Sequence, residues 1–387
     1  MGNRSSRRAF RLLCLIALPL LLLGCTASKG DPAEEFRIGL MEPLNSPDRI
    51  MGHRLAEARV AELNAEGGVE IAGRKVRLRL VVEDSGGTTE QTMSVMSHLV
   101  QQERVSAIIG PYHSRDAIPV AAALEVLRVP MLTPSATNPE VTRGHTFAFR
   151  VCQLDSDQGR SLAHYAYDDL KLRKAAVLYD EADPYSTGLA GYFRESFSQL
   201  AGASLTMMTY QSGSRDFSAQ LGRIVASGAQ VLLLPNFQPD LAAQIQQARA
   251  AGYAGLFLGG DSWDTDHGFH SLPEAQGAVY STEFVPAAAE QKRLAEVEAM
   301  AAKSGAPLSK NTALTLDAVD LLVAAAKRAG STDPVSLRSG LATLTDFDGL
   351  TGRISYSGGG DPARSTFIVG ITGGRPVLRA RLTSSKR

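Results

Sequence analysis

Apolar residues in this chain fall into short unbroken runs, separated by longer stretches where they recur every three or four positions. The first run is FRIGLMEP, residues 36–43. The next stretch, GHRLAEARVAELNAEGG, puts Leu55, Ala58, Val60 and Leu63 on one helical face, and Gly67-Gly68 stops it. The alternation continues through KVRLRLVVED (75–84), the helix-like TTEQTMSVMSHLVQQE, VSAIIGP (105–111), a helix over 114–127, and VPMLTPS (129–135). Short apolar runs divided by helices predict a parallel sheet covered on both faces.

The same pattern then begins again. KAAVLYD (174–180), a helix over 187–201, SLTMMTY (204–210), a helix over 216–227, AQVLLLP (229–235), a helix over 239–251 and GLFLGG (255–260) form a second set of strand–helix units. The fold class is therefore α/β, with two doubly wound parallel-sheet lobes in tandem. After GAVYSTEF (277–284) come two helical stretches, 288–303 and 311–329, and then the short strands GRISYS and TFIVGITG. That late return predicts that the chain after 285 rejoins the first lobe and crosses once more.

The first residues follow a different rule. Arg4, Arg7, Arg8 and Arg11 precede an apolar run from Leu12 to Leu23, too short to span a bilayer comfortably and ordered like an export signal. The run ends in Leu22-Leu23-Gly24-Cys25, which resembles the lipobox of bacterial lipoproteins; that resemblance implies cleavage after residue 24 and a lipid on Cys25. Residues 25–35 read as a polar tether.

Losing residues 1–24 removes four arginines and no acid from a chain of 40 basic and 40 acidic side chains, leaving 36 against 40. A mildly acidic mature protein argues against nucleic acid as a partner. Of three cysteines, Cys14 departs with the signal and Cys25 carries lipid, so Cys152 is alone. No intrachain disulfide framework is available, and Cys152 in FAFRVC reads as a small buried apolar residue.

Open parallel sheets bind ligands beyond the carboxyl ends of their strands. In the first lobe those ends are Glu42 to Met51, Asp84-Ser85, Gly110 to Arg115, and Thr133 to Thr137; in the second, Asp180 to Tyr185, Asn236-Phe237, and Asp261 to Asp264. The first set carries hydroxyls (Ser114, Ser135, Thr137) at or near helix starts, a chemistry that suits a carboxylate. The second brings Asp261, Asp264, Tyr185, Phe237 and Trp263, which suit an ammonium and a hydrocarbon body. Taken singly, each residue reads as a cap or a turn. Together, on facing lobes, they read as an amino-acid pocket.

These same blocks carry a resemblance. IGLMEPLNSP, ELNAEGGVEIAGRKVRL, VSAIIGPYHS, VPMLTPSATNPEVT, FRVCQLDSDQG, AAVLYDEADPYSTGLA, GLFLGGDSWD and FDGLTGRISYSGGGDP together resemble the leucine/isoleucine/valine-binding family, the type I periplasmic substrate-binding proteins of ABC transporters, from about Phe36 to Leu382. The resemblance implies a hinged, two-lobed flytrap with three crossovers, no cofactor, no metal and no catalysis. It implies lobes of 36–153 plus 286–353 and 154–285 plus 354–382, with a tail at 383–387. It also implies a monomer whose partners are a small carboxylate ligand, an ABC permease with its ATPase, and the membrane reached through the lipid. Ser114, Ser135 and Thr137 match positions that hold the ligand carboxylate; Tyr185 and Asp261 match those facing its ammonium. Phe237 matches an aromatic that closes over the ligand, and Met51 a side chain at the pocket mouth.

The chain departs from that pattern at several places. Arg115 follows Ser114 where small residues are common, Met51 stands where an aromatic is common, and Asp261 is shorter than the glutamate of some members. Arg115 and Arg49 either suit a second acidic group on the ligand or face solvent. Relatives that bind amides, urea or aromatic acids, and flytraps that report to a protein partner, remain alternatives. Enzyme signatures are missing: there is no Gly-x-Ser-x-Gly, phosphate loop, Gly-x-Gly-x-x-Gly or His-Glu-x-x-His. HGFH (His267, His270) reads as a loop rather than a metal pair.

Overall fold

The computed structural model describes residues 35–45, 50–264 and 267–383, the side chains of His267 and Thr383 excepted. The expected signal, Cys25, the tether up to residue 34, Arg49 and residues 384–387 lie outside them. Among the described residues no helix is long and apolar enough to cross a membrane.

The first sheet contains β1 (Glu35–Glu42), β2 (Val69–Ile71), β3 (Arg74–Asp84), β4 (Ala107–Ile109), β5 (Met131–Thr133) and β6 (Ala148–Arg150), in the order β2-β3-β1-β4-β5-β6. Its pairs are parallel except β2 with β3. Helices α1 (Gly52–Ala65), α2 (Thr89–Gln101) and α3 (Ser114–Leu127) connect its strands. Alternate strand residues serve opposite faces, as the pleat requires. Phe36, Ile38, Leu40, Ala107 and Ile109 face one core, while Ile108, Met131 and Ala148 face another.

The chain then enters the second lobe through α4 (Asp155–His164). The second sheet takes β7 (Lys174–Asp180), β8 (Ser204–Tyr210), β9 (Val231–Leu234), β10 (Leu256–Gly259) and β11 (Val279–Thr282), linked by α5 (Pro184–Phe197), α6 (Ser218–Ala226), α7 (Asp240–Ala250) and the single-turn α8 (His267–His270). Helix α5 starts three residues before its expected position, because the Asp183 carboxylate accepts Ser186 N–H and Pro184 occupies the first turn.

Helices α9 (Gln291–Ser304), α10 (Lys310–Ala329) and α11 (Pro334–Ala342) return to the first lobe, where Leu314, Ala318, Leu322, Leu337 and Leu341 share a core with β1. The GRISYS strand is shorter than expected. Strand β13 (Gly352–Ile354) pairs only with β12 (Phe347–Gly349) in a hairpin. Ile354 and Tyr356 are fully buried in the first-lobe core, so the last crossing follows Tyr356 rather than Arg353. Two antiparallel strands, β14 (Ser365–Thr372) and β15 (Arg375–Thr383), finish the second sheet in the order β15-β14-β11-β10-β9-β7-β8. The pattern of apolar runs did not predict β15, whose apolar residues alternate with arginines at a sheet edge.

Three segments thus join the lobes: 151–154, 283–290 and 357–364. The buried Arg364 guanidinium, itself on the third segment, bonds to the other two and to the first-lobe hairpin. It donates to Val151 O, to Glu283 O at 3.3 Å and to Thr351 O at 3.2 Å.

Candidate functional site

The carboxyl ends of the strands in both sheets converge on one small cavity. Ile50, Tyr112, His113, Ser114, Ser135, Lys310 and Asn311 line it from the first lobe; Tyr185, Phe237, Asp261 and Ser262 line it from the second. Its volume is about 20 Å³, room for about one water molecule. The lobes are therefore closed, and any larger solute requires them to part. A bigger hollow of about 620 Å³ lies over the crossings, lined in part by Glu283, Arg353, Arg364 and Arg381; of the loops that follow the parallel strands it takes only the one after β11.

Local sequence explains how each wall is held. On the first lobe, the buried Glu42 carboxylate at the end of β1 accepts Gly52 N–H at 3.1 Å and His53 N–H at 2.7 Å, so it caps α1. Desolvation still pushes its acid up from the ordinary value. Gly52 permits a close approach: a Cβ there would stand 2.5 Å from both the Tyr112 hydroxyl and Thr315 Oγ1, which hydrogen-bond to each other at 2.7 Å. Ser114 opens α3 and its Oγ accepts Asn138 N–H at 3.2 Å; the Ser135 hydroxyl donates to Tyr112 O at 3.1 Å.

On the second lobe, the Tyr185 hydroxyl donates to Ser262 Oγ at 3.1 Å, and Ser262 donates to Asn236 O at 2.9 Å. Phe237 bridges the lobes. Its ring meets His113 edge-on at 5.1 Å and Tyr185 at 5.0 Å. The His113 imidazole is lowered to about 3 by desolvation, with Arg115 and Lys310 adding to the effect.

Asp261 is not free. Its Oδ2 accepts the Lys310 ammonium at 2.7 Å, its backbone oxygen accepts the same ammonium at 3.1 Å, and its Oδ1 accepts Gln158 Nε2 at 3.1 Å. Lys310 and Asp261 side chains are 1% and 4% exposed, so this ion pair is closed off from water and spans the two lobes. The lysine stays protonated. Burial opposes its charge, but Asp261, Glu283 and Asp264 together raise its pKa.

Five of the expected residues, Ser114, Ser135, Tyr185, Phe237 and Asp261, meet at the cavity. Three do not. Thr137 is fully buried behind it, where its carbonyl accepts Asp155 N–H at 3.0 Å across the first crossing. Met51 precedes α1 with φ 53°, and Ile50 lines the cavity instead. Arg115 is 47% exposed and lies 3.6 Å from Asp116. Trp263 also turns away, donating to Leu234 O at 2.9 Å among Phe269 and Tyr280. His270 Nε2 lies 3.1 Å from Trp263 O, and no metal-binding group of His, Cys, Asp or Glu occurs among the described residues. Sequence reading missed Lys310, Asn311 and Gln158. Lys310 stood in plain view at the start of a predicted helix, but it lies 49 positions from Asp261, and no local pattern joins them.

Residues 35–375 match the model of the periplasmic binding protein family. The chain belongs to that family. Leu/Ile/Val-binding protein homolog 1 of Brucella abortus is 27% identical over 352 residues, covering 90% of this periplasmic binding protein and 93% of the relative. The leucine-binding protein LivK of Thermotoga maritima superposes with a TM-score of 0.81 at 28% identity, covering 90% of this chain and 98% of its own. The branched-chain amino-acid transporter substrate-binding protein LivJ of Streptococcus pneumoniae, solved with isoleucine, gives 0.80 at 26% identity, covering 91% and 99%. These are solute-binding proteins, not enzymes. This periplasmic binding protein is accordingly an extracytoplasmic solute binder with the type I two-lobed fold.

Proposed function

We propose that the chain is the solute-binding lipoprotein of an ABC importer, anchored through Cys25, and that it holds a small carboxylate-bearing solute between its lobes. The observation that carries this reading is the cavity itself. Hydroxyls and two helix starts face it from one lobe, and an aromatic pair and Asp261 face it from the other. Likeness to Leu/Ile/Val-binding homologues over nine-tenths of the chain supports a solute of that size. Lobes of 36–153 plus 286–356 and 154–285 plus 357–382 would turn about the three crossings. Contacts from both lobes exist together only on closure, so a solute bridging them shifts the population to the closed form, which a permease then reads. A dissociation constant near ~1 µM, about −8 kcal/mol, suffices where the open form is favoured by a few kcal/mol. A monomer is sufficient for this cycle.

Calorimetric titration with a panel of aliphatic, acidic and aromatic carboxylates, amides and urea tests the reading. Saturable binding to a carboxylate class is expected. Binding to amides or urea alone would overturn the carboxylate assignment. Anchoring is tested separately: palmitate labelling should be lost in Cys25→Ser.

A further inference from the structure

We infer that the cleft selects carboxylates that lack an α-ammonium group, with Lys310 as the resident cation; this rests on the solute-binding reading above. Among the described residues lining the cavity, Asp261 is the only side-chain carboxylate, and both its oxygens are engaged, by Lys310 and by Gln158. A ligand ammonium directed at Asp261 would have to displace the Lys310 ammonium or sit beside it, and two like charges in a site closed off from water repel strongly. Glu283 and Asp264 also act on Lys310 but do not line the cavity, so they hold the lysine charged without offering an acceptor to the ligand.

Donors are arranged the opposite way. Lys310 uses two hydrogen bonds on Asp261, one to Oδ2 and one to the backbone oxygen, which leaves a third proton. Its helix α10 and the Ser114 helix α3 both begin at the cavity, and the first turn of each leaves N–H groups without intrahelical acceptors. The buried Asn311 amide, with Oδ1 unpartnered, lines the same wall and presents oxygen or, turned over, its NH₂. When the lobes part, the Lys310–Asp261 bond must break or lengthen, because its two ends belong to different lobes. The open first lobe then shows a lysine and a serine hydroxyl to an incoming carboxylate. Phe237 and Tyr185 close over the hydrocarbon body from the second lobe.

Matched pairs separate the charge from the side chain: leucine against 4-methyl-2-oxopentanoate, and phenylalanine against phenylpyruvate, titrated by calorimetry into the protein freed of carried-over ligand. The oxo acid should bind at least about tenfold more tightly in each pair that binds. Lys310→Met releases Asp261, so the preference should reverse toward the amino acid. Should that variant fail to fold, Lys310→Met/Asp261→Asn removes the lone buried charge and should bind neither member well. Tighter binding of the amino acid by the unaltered protein overturns this inference and leaves the solute-binding reading standing. No binding of either class by folded protein overturns both.

Discussion

Arg150 and Lys310 are both buried cations, and their surroundings differ in kind. Arg150, at the end of β6 and fully buried, donates to Asp361 Oδ1 at 2.8 Å, Ala136 O at 2.7 Å, Asn138 O at 3.0 Å and Thr142 Oγ1 at 2.8 Å. Its planar fork is almost completely engaged, mostly by carbonyls and a hydroxyl of its own lobe. Lys310 sits on the cleft, its two hydrogen bonds to Asp261 run to the opposite lobe, and those bonds must loosen when the lobes part. The first cation fixes a loop whatever the lobes do. The second is positioned to change partners. Breaking either set of bonds leaves a buried charge uncompensated, but only the Lys310 set is broken by lobe opening.

The sharpest way to break this comparison is Arg150→Met. It leaves the Asn138 carbonyl and the Asp361 carboxylate without the arginine's bonds and the Ala136 carbonyl with only the Cys152 thiol, and should lower unfolding stability by about 3 kcal/mol in urea denaturation. Lys310→Met should lose less, because Asp261 can reach water in the open form; equal losses would place the two cations in one class. Phe237→Ala removes the ring shared between the lobes and should weaken solute binding by about 2 kcal/mol in calorimetry, with a smaller change in unfolding.

The pH dependence is a third handle. In the folded chain His113 takes its proton only near pH 3, while the unfolded chain takes it near 6.5. Below about pH 6.5 the unfolded state alone gains the proton, so this group removes stability as pH falls, by at most about 1.4 kcal/mol per unit. His113→Phe keeps a ring against Phe237, and its stability should fall less steeply below about pH 6.5 than that of the unaltered protein, the two compared as stability–pH curves. Asp317, raised to about 6 by burial against its bonds from Leu350 and Thr351, works the other way and is common to both curves.

Thr137→Ala tests where the cleft ends. It should cost about 1 kcal/mol of stability, through the lost packing of a fully buried side chain, and leave affinity unchanged, since Thr137 does not line the cavity. A loss of binding without a loss of stability would return Thr137 to the ligand. The smallest effect belongs to Arg115→Ala, within about 0.5 kcal/mol by either measurement, because its charge is exposed.

Much of the architecture was legible before any coordinates. Unbroken apolar runs such as IGLM and VLLL fill strands buried on both faces, and helical periodicity between them leaves a doubly wound sheet as the consistent answer. Strand ends then pointed to Ser114, Ser135, Tyr185, Phe237 and Asp261. The pattern failed where an element is held by distant partners: the edge strand β15, the hairpin of β12 and β13, and the last crossing, whose position depends on Tyr356 hydrogen-bonding to Arg150 O 206 residues away.

The sequence by itself determined the two lobes, the doubly wound order and the loops that make the cleft, because those follow from local periodicity and from the rule that parallel strands end together. Only the tertiary structure decided which side chains the cleft brings together. Met51 and Arg115 adjoin residues that line the cavity and Thr137 lies two positions from one, yet all three lie outside it, since a step of one or two residues along a loop or helix turns a side chain to another direction. Lys310 comes from a helix that rejoins the first lobe after a full pass through the second, and its pairing with Asp261 is a fact of closure across the hinge. An ion pair 2.7 Å apart in space and 49 residues apart in the chain leaves no mark on sequence periodicity.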